Sequence, residues 1–98
     1  MLNERIKKLR TLCGMSQVEM AAKLGISKQS VSNWENDNIQ PSIEMLLKIA
    51  RLFSVSTDYL LGIENRRYLE VSGLSEIQLT HLQQIIQDLV QSNNGETE

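Results

Sequence analysis

The chain has one cysteine, Cys13, and one histidine, His81, so it cannot close an intrachain disulfide, and it has no Cys or His spacing that would hold a metal ion. No metal or other cofactor is expected, and a lone thiol suits a reducing cytoplasm. A single proline and five glycines leave few chain breakers. Long period-2 alternations of β-branched residues are missing, while Leu, Ile and Met abound; the expected fold class is all-α. Apolar runs are short and interrupted by charges such as Lys48 and Arg51, and residues 1–5 (Met-Leu-Asn-Glu-Arg) lack the apolar stretch of a leader, so neither export nor a membrane span is expected. One His, one Cys and scattered carboxylates offer no nucleophile beside a base, which argues against an enzyme.

Basic residues are absent after Arg67. Residues 1–67 hold all ten Lys and Arg against seven acids, a balance of +3, whereas residues 68–98 hold five acids and no base. The net charge of −2 therefore hides a basic front and an acidic tail, and contact with a polyanion, if made, belongs to the front. At 98 residues the chain accommodates one compact domain and a short appendage.

Five serines, Ser16, Ser27, Ser42, Ser56 and Ser75, stand where a helix would begin. A serine at this position accepts a bond from an unsatisfied N–H of the first turn, and Glu19 and Gln78, each three residues on, complete capping boxes. Apolar pairs that staple the entering chain flank four of them: Met15 with Met20, Ile26 with Val31, Val55 with Leu60, and Leu74 with Leu79. The predicted helices are 3–13, with Ile6, Leu9 and Leu12 or Cys13 buried; 16–24; 27–36; one after Ser42, with Ile43, Leu46, Leu47, Ile49, Ala50 and Phe53 buried; 56–61; and 75–91. Residues 1–62 form a domain, 63–74 a connector, and 92–98 a disordered polar tail.

Residues 17–36, QVEMAAKLGISKQSVSNWEN, are the informative stretch. Two short helices crossing steeply need a small residue where they approach, supplied by Ala21, and a residue free to take positive φ in the turn, supplied by Gly25. Ile26, Val31 and Trp34 point inward. Lys28, Gln29, Ser32 and Asn33 face out as a polar, amide-rich surface. By itself such a face is an ordinary solvated one. With Gln17, Ala21, Gly25, Ile26, Val31 and Trp34 at their spacing, the segment resembles the Cro/C1-type helix-turn-helix family, also called the Xre family, over roughly residues 3–62.

The resemblance implies a five-helix, lambda-repressor-like DNA-binding domain whose third helix enters the major groove of a double-stranded operator. It implies base contacts from Lys28, Gln29, Ser32 and Asn33 and phosphate contacts from Gln17, Ser27, Ser30 and Asn36. It also implies that Glu35 pairs with Arg10. The function implied is sequence-specific regulation of transcription, as a repressor on an inverted repeat. Gln29 and Asn33 have the donor and acceptor that adenine requires, and Lys28 suits guanine or a phosphate.

Leu79, Leu82, Ile86 and Leu89 recur at spacings of three, four and three, with Ile85 widening the stripe. That face calls for a cover. A second copy of the chain would supply the two-fold that paired half-sites require; the alternatives are folding back on Tyr68 and Leu69, or another protein, such as a toxin in an antitoxin reading, or an anti-repressor. Cys13 and Trp34 are read as core residues, and His81 receives no function.

Overall fold

The computed structural model describes residues 1–96, and the side chains of residues 1–94. Six helices follow one another: α1 (Leu2–Leu12), α2 (Gln17–Leu24), α3 (Lys28–Glu35), α4 (Ile43–Phe53), α5 (Thr57–Leu60) and α6 (Glu76–Glu96). No strand occurs among the described residues.

All five serines cap. The hydroxyls of Ser16, Ser27, Ser42, Ser56 and Ser75 accept from the backbone N–H groups of Glu19, Ser30, Met45, Tyr59 and Gln78 at 3.0 to 3.2 Å. Glu19 and Gln78 return the bond to the serine N–H groups at 3.1 and 3.0 Å, so both capping boxes close. The backbone bond from Ser16 holds the Glu19 carboxyl below the ordinary glutamate range. With its folded value lowered, this box stabilises α2 above the ordinary range and ceases to as pH falls through the folded value. Gly25 ends α2 at φ +71, a left-handed conformation that bears no penalty only in glycine, and Ile26 N–H then bonds back to Ala21 O at 3.0 Å.

Eight-residue helices are marginal alone, so their stability comes from a shared core. Each of the first five helices contributes to it: Ile6 and Leu9; Met20, Ala21 and Leu24; Val31 and Trp34; Ile49, Ala50 and Phe53; and Leu60, joined by Val55 from the turn before α5. Met15 and Ile26 pack against the rim of that core, and Val55 and Leu60 lie within it, which fits the stapling role.

Several expected core positions lie outside. Leu12 is 69% exposed and Cys13 is exposed, because in the last turn of α1 it is Arg10 that turns inward, toward Glu35. Ile43 and Leu47 are also exposed, since α4 meets the core through Leu46, Ile49, Ala50 and Phe53 and its first turn overhangs the edge. α6 continues beyond residue 91, so 92–96 is helical where a disordered tail is expected; residues 97 and 98 lie outside the described residues. No proline stops it, and one glycine costs only about 1 kcal/mol.

α6 has no substantial packing against any other helix. The Cα radius of gyration, 16.0 Å, exceeds the roughly 13 Å of a compact chain of this length. Tyr68 and Leu69 remain 60% and 59% exposed.

One polar cluster penetrates the core. Glu35, at the end of α3, has a side chain only 2% exposed. Its Oε2 accepts from Arg10 Nε at 2.7 Å, and its Oε1 accepts from Arg10 Nη2 at 3.0 Å and from Gln17 Nε2 at 3.1 Å. Arg10 Nη1 donates to Met15 O at 2.7 Å, so α1, the α1–α2 turn, α2 and α3 meet at one carboxylate. The hydrogen bond to Glu35 holds the Arg10 guanidinium above its ordinary value. Breaking a buried pair leaves a desolvated charge, whereas replacing both members leaves none. Glu35→Leu alone should therefore lower unfolding free energy by about 3–5 kcal/mol in a urea titration, and Arg10→Met with Glu35→Leu by much less. A single replacement costing under about 1 kcal/mol would show the pair to be structurally idle.

Candidate nucleic-acid interface

Two helices, α2 and α3, present the surface. α3 offers Lys28, Gln29, Ser32 and Asn33 at spacings of one, three and one, which is one helical face, while Val31 and Trp34 on the opposite face are buried. Lys28 and Gln29 are exposed, and Ser32 and Asn33 are half-buried at the foot of that face.

Two bonds order these side chains before any ligand arrives. Gln29 Nε2 donates to Asn33 Oδ1 at 3.1 Å, one turn along. That leaves the Gln29 carbonyl oxygen and the Asn33 amide N–H groups as a joined acceptor and donor, the complement of adenine N6 and N7. Asn36 Nδ2 donates to Ser32 Oγ at 3.2 Å, so the Ser32 hydroxyl proton is free to point outward. Lys28 has neither an ion-pair nor a hydrogen-bond partner among the described residues, leaving its ammonium available.

The residues implied in phosphate contact sit at helix ends, and all four also bond within the protein. Gln17 begins α2 and is half-buried; one of its amide hydrogens is taken by Glu35, leaving the second, the carbonyl oxygen and the backbone N–H. Ser27 caps α3, and its oxygen lies 3.0 Å from Ser30 Oγ. Because Ser16 and Ser27 cap only the third N–H of their helices, the N–H groups of Gln17, Val18, Lys28 and Gln29 stay open in two first turns, where an anion is favoured.

These elements come together because Glu35 ends α3 and holds the first residue of α2, so α3 and the N-terminus of α2 have one relative position. The Gln17–Glu35 and Gln29–Asn33 bonds were not anticipated from the sequence. The second had a signal there, since amides four residues apart on a helix meet; the first joins residues 18 apart and had none. Among the described residues no group of His, Cys, Asp and Glu is arranged to hold a metal, and no helix is long and apolar enough to cross a membrane.

Comparison with known proteins matches this geometry. The helix-turn-helix family model HTH_3 covers residues 6–60. The HTH-type transcriptional regulator ImmR of Bacillus subtilis (strain 168) is 40% identical over 90 residues, an alignment that spans 90% of this chain and 67% of that protein. Among solved structures, the P22 c2 repressor in complex with synthetic operator 9T superposes with a TM-score of 0.59 at 30% identity, over 61% of this chain and 91% of that one. A chain of the SinR protein/SinI protein complex aligns over the whole of both chains, with a TM-score of 0.60 and 25% identity. With the family model covering more than half its length and its turn, core and Arg10–Glu35 pair in place, the chain belongs to the helix-turn-helix family of Cro/C1-type transcriptional regulators.

Proposed function

We propose that the chain is a repressor in the bacterial-type cytoplasm that inserts α3 into the major groove of an inverted-repeat operator, acting as a homodimer joined through α6. The observation that carries the DNA reading is the pre-ordered amide face of α3 on a three-helix junction. In this reading Gln29 and Asn33 recognise adenine, Lys28 donates to guanine O6 and N7 or to a phosphate, and Ser32 donates to a base edge. Gln17, Ser27, Ser30 and Asn36 meet phosphates, which set register without carrying sequence information. Repression follows the P22 c2 protein, which is named a repressor and was solved on an operator. The named relatives favour a regulator over a toxin-neutralising protein.

Support for the dimer comes from α6. Ile85, Ile86 and Leu89 are 53%, 48% and 59% exposed, and they continue the stripe of Leu79 and Leu82 along a helix about 32 Å long. One small domain makes too few contacts for high specificity, and two half-sites about 34 Å apart require a two-fold partner. The likeness to a chain of the SinR/SinI complex, which runs the whole length of the chain, favours contact with a further protein partner.

Two measurements test this. On the duplex the parent binds best, Gln29→Ala or Asn33→Ala should cost about 1–3 kcal/mol with little change on random DNA, while Gln17→Ala weakens both alike. Parent-like operator binding by Asn33→Ala would contradict the assigned face. In sedimentation, Leu82→Asp with Ile86→Asp should convert a dimer into a folded monomer that keeps weak non-specific binding; a dimer that survives both charges is joined elsewhere.

A further inference from the structure

The connector holds information that the dimer alone would not need. Twelve free residues between the domain and α6 would let the two ends wander by roughly 20 Å. Paired domains on such tethers would accept half-sites over a wide range of separations, but the described connector makes contacts that restrict it.

Its start is clamped by Arg5, which reaches across from α1. The Arg5 guanidinium donates to Tyr59 O in α5, to Glu64 O at 3.5 Å and to Asn65 Oδ1 at 3.0 Å. Its carbon lies 4.2 Å from the centre of the Tyr59 ring, and the Arg67 guanidinium lies 5.2 Å from the same centre. Two cations thus hold one aromatic ring, and one of them belongs to the connector. The N–H groups of Ile63 and Glu64 both bond to Asp58 O, at 2.9 and 3.2 Å, which fixes the exit from α5. Further along, Tyr68, Leu69 and Glu70 line, with Leu47 and Val55, a groove of about 600 Å³. A turn from Val71 O to Leu74 N–H, 3.0 Å, then leads into the Ser75 cap.

We propose that Arg5 is a positioning residue that fixes the direction in which α6 leaves the domain and thereby sets the half-site spacing the dimer accepts. The proposal rests on the α6 dimer described above. Adding one base pair moves a half-site by about 3.4 Å and turns it by roughly a tenth of a revolution, so a stiff connector must discriminate and a loose one cannot. Arg5 is suited to the role because its planar fork serves several acceptors at once and also stacks on an aromatic face, which lysine cannot reproduce.

The test uses the full chain and duplexes carrying two preferred half-sites whose separation changes one base pair at a time around one helical turn. The parent should lose roughly tenfold in affinity two base pairs from its optimum, about the effect of one mismatched pair. Arg5→Lys and Arg5→Ala should bind the whole series within about threefold while keeping the parent's dimeric state and single half-site affinity. Tyr59→Phe, which retains both the ring and the carbonyl, should keep the parent's sharp profile. A second readout needs no variant: Cys13 is exposed and is the chain's one cysteine, so a nitroxide there reports the distance between the two domains by pulsed electron resonance. A single narrow distance supports the clamp, and a spread of roughly 20 Å overturns it. A dimeric Arg5→Lys with the parent's sharp profile also overturns it while leaving the dimer intact. A monomeric parent overturns the dimer and the spacing role together.

Discussion

The arrangement of the reading surface depends on one buried carboxylate. Glu35 closes α3, and its oxygens hold the guanidinium of α1 and the side-chain amide that opens α2. Burying an ion pair is a poor way to gain stability, since desolvation offsets much of the attraction. What it supplies is geometry: a carboxylate that needs three donors has few acceptable positions, and meeting them fixes the angle between α2 and α3. Leu or Met in these places would tolerate sliding. If α3 slid by even one residue, a different set of side chains would face outward.

Around that junction the labour is divided. Serine caps begin the short helices, twelve buried apolar residues hold them together, and α3 is left free to present amides rather than carry packing on its outer face. Charge follows the same division, with every base at or before Arg67 and an acidic segment beyond, so that α6 is repelled by the phosphates its domain would approach. The Arg5 clamp on Tyr59 and Asn65 lies at the boundary between these two regions.

Local signals in the sequence carried most of the fold. Ser16, Ser27, Ser42, Ser56 and Ser75 marked helix starts because capping is a matter of three neighbouring residues, and Gly25 marked the turn because few other residues take its φ. Burial was harder to read where it depends on which element crosses overhead. Leu12 and Ile43 have the right periodicity but sit in end turns that overhang the core, and Cys13 is outside because Arg10 took the inward place. Helix α6 ran on because Asn93, Asn94 and Gly95 disfavour helix without forbidding it. At the site, the amide face of α3 was legible from a family pattern together with i, i+4 spacing. The Gln17–Glu35 bond and the Arg5 clamp were not, since both join residues far apart in the chain through contacts that no short motif records.

In the proposed complex, two copies of one pre-ordered helix read two related DNA segments. Selection from a pool of random duplexes by the full chain, repeated at two salt concentrations, tests it most directly. The expected result is enrichment of an inverted repeat with half-site centres one helical turn apart, adenine at positions read by Gln29 and Asn33, and affinity that falls steeply with salt. Recovery of a single unrepeated site, or no enrichment over random sequence, would contradict it.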